Sequence, residues 1–100
     1  MGGEEIKTSW NPVRSGWGSL EAYILVNTES GKLWKVAEEA LKIPGVKMAH
    51  AVTGEYDVIA YAEFPNIQDL ERIIRVFQLI EGVVRTHTSI AIPTRLSEEH

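Results

Sequence analysis

A short element of the sequence recurs after 37 residues, and this repeat constrains the fold more than any other feature. Ile43-Pro44-Gly45-Val46 matches Ile80-Glu81-Gly82-Val83, and the same interval separates His50 from His87. In both copies a glycine follows a helix-like apolar stripe, where glycine commonly ends a helix, and a strand-like segment comes next. We therefore expect two βαβ halves in the order βαββαβ, which is the ferredoxin-like arrangement of an antiparallel four-stranded sheet with two helices.

The first half reads as a strand, an amphipathic helix and a second strand. Residues 22–26 form an apolar run of strand length, and residues 46–53 form a more polar strand. Between them, apolar residues recur at the i, i+3, i+4, i+7, i+8 spacing of a helix face. That face comprises Leu33, Val36, Ala37, Ala40 and Leu41. Pro44-Gly45 is expected to end the helix.

The second half repeats this organisation. Residues 57–62 form an apolar strand, and residues 83–92 form the last strand. Asn66 is a good N-cap for the helix between them, and Asp69 favours its positive N-terminus. The expected inner stripe is Leu70, Ile73, Ile74 and Phe77, widened by Val76 and Ile80.

The first and third strands are apolar on both faces, which predicts self-association. Right-handed crossovers place both helices on one face of the sheet. Strands with one exposed face normally alternate apolar and polar residues, but residues 22–26 and 58–62 do not. An exposed apolar patch of that size marks an interface. We therefore expect a homodimer formed through the sheet, a dimeric α+β barrel.

Composition narrows the function classes. One hundred residues make one domain, which we place at 20–93, with an N-terminal arm at 1–19 and a tail at 94–100. The formal charge of −4, without a basic cluster, argues against direct nucleic-acid binding. Cysteine is absent, so disulfides and thiolate chemistry are excluded. No apolar run suits a membrane helix or signal peptide, so we expect a cytoplasmic protein without membrane contact.

Two polar clusters could carry chemistry. Gly54, Tyr56 and Asp57 share one turn, where backbone N–H groups could meet a carboxylate, Asp57 an ammonium and Tyr56 an apolar side chain. Those contacts suit a zwitterionic amino acid. The alternative interpretation is an ordinary hairpin, which accounts for the same residues equally well. Thr86 and Thr88 lie two apart, hence on one strand face, although threonine is also a common strand residue.

Enzyme signatures are few. His50 and His87 could form a metal pair or act as general bases, but the repeat alone accounts for their matching positions. We favour polar positions on half-buried strands, and we expect no catalytic residue, metal or cofactor. No glycine-rich phosphate loop follows a predicted strand.

Residues 22–92 resemble the effector-sensing domain of the Lrp/AsnC family of regulators, also called the RAM domain. The resemblance rests on residues 22–26, Ile43-Pro44-Gly45-Val46, residues 53–57 and Arg85-Thr86-His87-Thr88. It implies sheet-to-sheet dimers, their assembly into octamer-like rings, and amino-acid effectors held between dimers. The matching ligand positions are Gly54, Tyr56, Asp57, Thr86 and Thr88.

Full-length regulators of that family also carry a helix-turn-helix module, for which residues 1–19 are too few. We therefore expect a stand-alone, non-enzymatic sensing module that acts through its own assembly or on a full-length regulator. A dimeric α+β barrel enzyme of the small monooxygenase, isomerase or haem-degrading type is the alternative, because it shares the protomer fold. An ACT-like amino-acid sensor would share the fold and ligand but lacks the hairpin motif.

Overall fold

The βαββαβ order is confirmed in a computed structural model, which describes residues 20–92. The elements are β1 (Leu20–Thr28), α1 (Leu33–Ala40), β2 (Val46–Ala51), β3 (Val58–Phe64), α2 (Ile67–Leu79) and β4 (Val83–Ile90). The expected arm at 1–19 and tail at 94–100 lie outside the described residues. No helix within the described range is long and apolar enough to span a membrane.

All strand pairs are antiparallel, and the strand order is β2-β3-β1-β4. β1 is therefore central, with β3 on one side and β4 on the other. Alternate residues of β1 and β3 pair directly and are fully buried together with residues of both helices, which confirms that one face of the sheet carries the core. These strand residues are Ala22, Ile24, Val26, Val58, Ala60 and Ala62.

The repeated glycines explain why the sequence repeats. Gly45 and Gly82 both have φ of +102°, a region that favours glycine. Their carbonyls accept equivalent hydrogen bonds, from Glu63 N–H at 2.9 Å and from Glu29 N–H at 2.8 Å. A Cβ atom at Gly82 would lie 2.8 Å from Cβ of Lys32, so the backbone needs glycine for space as well as for conformation.

The helix predictions hold with one error. Asn66 Oδ1 accepts a hydrogen bond from Asp69 N–H at 2.9 Å, so the predicted N-cap is confirmed. In the predicted inner stripe of α2, Leu70, Ile73 and Phe77 are buried, whereas Ile74 is half-buried. Leu41 was wrongly assigned to the inner face of α1, because the helix ends at Ala40 and Leu41 is 52% exposed.

Three strand ends differ from the prediction by one or two residues. β2 ends at Ala51 rather than at residue 53, and just beyond it Val52 N–H donates to the carbonyl of Asp57 at 2.9 Å. Asp57 donates its own N–H to Val26 O at 2.9 Å, and β3 begins one residue later. β4 ends at Ile90 rather than at residue 92.

Candidate functional site

The sheet face away from the helices, the open face, carries the apolar residues that the sequence left without cover. Strand register places Tyr23 beside Tyr61 and Leu25 beside Ile59 at its centre. Tyr23 is 43% exposed in the protomer. The prediction of a second apolar face is therefore confirmed, and the described chain supplies no element to cover it.

The two tyrosines form a cluster with acidic neighbours on the open face. Their rings lie 5.4 Å apart, and Tyr61 donates its hydroxyl proton to Glu63 Oε2 at 3.0 Å. Burial, followed by the carboxylates of Glu63 and Glu21, raises the pKa of Tyr61 well above its usual value. Tyr61 is therefore a neutral hydrogen-bond donor at physiological pH.

His50 and His87 lie in one row across the open face. His50 pairs with Ile59, Ile59 with Leu25, and Leu25 with His87, so three strand spacings of ~4.8 Å separate the histidines by about 14 Å. One protomer cannot bring both to a single metal ion, and residues 20–92 contain no cluster suited to a metal. Both histidine side chains are exposed, and they occupy polar positions on strands that also carry partly buried residues.

The hairpin between β2 and β3 places three of the predicted ligand residues together. Gly54 has φ of +118°, and a Cβ atom there would meet nothing within 4 Å. Asp57 Oδ2 accepts a hydrogen bond from Thr28 N–H at 2.8 Å, while Asp57 N–H donates to Val26 O. Both hydrogen bonds hold the hairpin against the end of β1, so the carboxylate of Asp57 has a fixed position.

Further contacts extend this site to β4. Asn27 Nδ2 donates to the carbonyl of Glu55 at 2.9 Å, and Arg85 Nη2 donates to Asn27 Oδ1 at 3.3 Å. The ring of Tyr56 lies 6.3 Å from that of His87. The sequence analysis did not place Asn27, Arg85 or His87 near the hairpin. The available signal was that Arg85 and His87 alternate with the threonines along β4 and therefore share one face of that strand.

Thr86 and Thr88 lie on the other face of the sheet. They pair with Val26 and Ile24, whose side chains are buried beneath the helices, and both threonines are half-buried. They share a face as predicted, but His87, which contacts Tyr56, projects from the opposite one. One protomer therefore brings together Gly54, Tyr56 and Asp57, and it does not bring the threonines to them.

Comparison with known proteins assigns this protomer to a family. The model of the Lrp/AsnC ligand binding domain matches residues 21–99. The HTH-type transcriptional regulator FL11 of Pyrococcus furiosus is 33% identical over 82 residues, which are 82% of this chain and 54% of that protein. The chain belongs to the Lrp/AsnC family. It spans about half the length of the curated relatives it matches, and these are named as transcriptional regulators.

Solved structures share the fold of this Lrp/AsnC domain. FFRP-DM1 is 38% identical, with a TM-score of 0.68 over 73% of this chain and 99% of that chain. The regulator NMB0573 of Neisseria meningitidis, solved as a complex with L-Met, is 20% identical, with a TM-score of 0.71 over 88% of this chain and 60% of its own. At that identity the likeness shows the shared fold alone.

Proposed function

We propose that this Lrp/AsnC domain is a non-enzymatic regulatory module, cytoplasmic, that binds an α-amino acid at the β2–β3 hairpin. The observation that carries the proposal is the position of Asp57, whose carboxylate is hydrogen-bonded to the end of β1 beside an open glycine turn. A ligand there meets a fixed negative charge, the backbone of a glycine turn and an aromatic ring within one short segment.

Each part of an amino acid has a partner in this arrangement. A carboxylate has about four lone-pair positions, so Asp57 keeps acceptor capacity for an ammonium group beyond its bond from Thr28 N–H. The backbone at Gly54, with its positive φ, offers N–H groups to a carboxylate. Tyr56 provides an apolar wall for the side chain. The L-Met complex of NMB0573 supports this class of ligand by relationship of fold.

The threonines enter the site from a second copy. Because Thr86 and Thr88 occupy the helix-bearing face, their hydroxyls can join Asp57 only if another protomer presents its β4 to the hairpin. We propose that the effector lies between dimers, so that binding and ring-like assembly are coupled. The dimers form through the open face, where Tyr23, Leu25, Ile59 and Tyr61 of each copy exclude water.

The regulated partner is another copy or a full-length regulator of the same family. The named relatives are HTH-type regulators, and the open face offers a related domain the same apolar surface. Direct contact with DNA is not part of the proposal, because the chain is acidic overall. DNA binding would be modulated through the partner.

A thermal-shift screen of the twenty amino acids tests the ligand proposal. A ligand present at 100 times its Kd stabilises the folded state by about 2.7 kcal/mol. For a domain of this size, such a gain raises Tm by roughly 10 °C or more. The matched controls are the amine and the carboxylic acid that each lack one charged group of the active compound. If no amino acid shifts Tm at millimolar concentration, the proposal fails and the α+β barrel enzyme becomes the better hypothesis.

A further inference from the structure

A groove unrelated to the hairpin site runs between α1 and the edge strand β2. Its volume is about 320 Å³, and its lining is mostly apolar. Trp34 and Leu41 line it on the side of α1, Ala49 and Ala51 line it on the side of β2, and Glu38 is its acidic lining residue. Trp34 is 73% exposed and Leu41 is 52% exposed. Large apolar side chains grouped around a groove mark a docking surface.

The internal repeat shows that the fold does not require this apolar lining. Adding the interval of 37 residues carries each groove position to the equivalent edge between α2 and β4. Trp34, Leu41, Ala49 and Ala51 correspond there to Glu71, Gln78, Thr86 and Thr88. The equivalent edge is polar at these four positions, although Ala37 of the lining corresponds to the apolar Ile74. The large exposed apolar side chains Trp34 and Leu41 have no apolar counterpart in the second half.

We propose that Trp10 of the same chain fills this groove. Leu20 pairs with Phe64, whereas Ala51 pairs with Val58, so the groove lies six strand positions along the sheet and two strands across from Leu20. At ~3.3 Å per residue and ~4.8 Å per strand, the separation is about 22 Å. Ten residues span at most about 33 Å, so Trp10 reaches the groove.

Trp17 lies too close to Leu20 along the chain to reach the groove. It stands three residues before Leu20 and spans at most about 10 Å, which is less than half of the separation. An indole gains from burial against a large apolar surface, and of the two tryptophans only Trp10 has the reach to make that contact here. Lys7 and Arg14 lie three and four residues from Trp10, and the acidic Glu38 is among the residues that line the groove. The positive charge of these two residues therefore complements the groove.

The absence of cysteine makes a direct test possible, because one introduced thiol is then unique. Leu41→Cys places a thiol in the groove, and its alkylation rate measures access to that surface. In the full-length chain, Trp10→Ala should raise this rate at least several-fold, whereas Trp17→Ala should leave it unchanged. As a control, a thiol at Leu79, which is 82% exposed on α2, should react equally fast in all backgrounds.

A second measurement avoids altering the groove. The indole N–H resonance of Trp34 in a ¹⁵N spectrum should shift on Trp10→Ala and stay in place on Trp17→Ala. An unchanged Trp34 resonance and thiol rate in the Trp10→Ala chain would overturn the proposal, and so would equal effects of the two substitutions. Protection that persists without Trp10 and rises with protein concentration would overturn it as well, because a second copy would then be the occupant. Neither measurement uses an amino acid, so a negative result for Trp10 leaves the proposed effector site untouched.

Discussion

Replacing Asp57 with Asn should weaken amino-acid binding and leave the hairpin in place. Asn has nearly the same shape, and its Oδ1 can still accept the hydrogen bond that Thr28 N–H donates at 2.8 Å. The substitution removes only the negative charge that we assign to the ligand ammonium. Hydrogen bonds to charged groups contribute about 1.5–3 kcal/mol, which corresponds to a Kd raised roughly 10- to 150-fold.

Asp57→Ala separates the structural task of this side chain from its binding task. Alanine leaves Thr28 N–H without its acceptor in a partly buried position, at a cost of about 1–3 kcal/mol. For a domain of this size that loss lowers Tm by roughly 4–20 °C. Asp57→Asn keeps an acceptor and should lower Tm by much less.

Calorimetry with the amino acid found by thermal shift, combined with Tm measurements, checks both expectations. Glu55→Gln is the matched control, since it removes the same charge from an exposed position in the same hairpin and should leave Kd close to that of the wild type. Equal affinities of the wild type and Asp57→Asn would refute the ammonium assignment. Equal stabilities of Asp57→Ala and Asp57→Asn would refute the anchoring role.

Three further expectations concern the rest of the domain. Gly82→Ala should lower the unfolding free energy by about 1–3 kcal/mol more than Gly54→Ala does, because both sites have positive φ but only position 82 lacks space for Cβ. Equal losses of unfolding free energy in denaturant titrations of the two variants would contradict this. Leu25→Glu should yield folded monomers in sedimentation experiments, whereas the control Leu79→Glu should remain dimeric. A dimeric Leu25→Glu would contradict the proposed interface. Because the pKa of Tyr61 is raised, the folded chain keeps that proton while the unfolded chain loses it, so unfolding free energy should fall as pH rises above about 10. Absorbance titration against Tyr61→Phe checks this, and a Tyr61 that ionises with the other tyrosines would contradict it.

Local side-chain periodicity was sufficient for the order of elements. Each helix and strand has its own apolar spacing, and Gly45 and Gly82 mark equivalent ends because the backbone needs the same φ at both. Strand ends were less predictable, since they depend on partners far away in sequence. The beginning of β3 is one example, because Asp57 N–H binds Val26 O on another strand.

The candidate site was predictable only as far as it is local. Gly54, Tyr56 and Asp57 belong to one turn, and the structure keeps them together. Alternation correctly predicted that Thr86 and Thr88 share a face, but which face depends on their register with β1, about sixty residues earlier. No pattern within β4 determines that register, because it is fixed by pairing with Val26 and Ile24.

The strand order also affects how the domain forms during synthesis. The last strand of the sheet pairs with the first, and the pairing continues beyond β4, where Ala91 N–H donates to Glu21 O at 2.8 Å. Until β4 leaves the ribosome, one side of β1 has bare N–H and C=O groups, which can pair with another chain. Closing so long a loop is also slow. Neighbouring nascent chains on one messenger RNA can therefore exchange their final strands before either domain is complete.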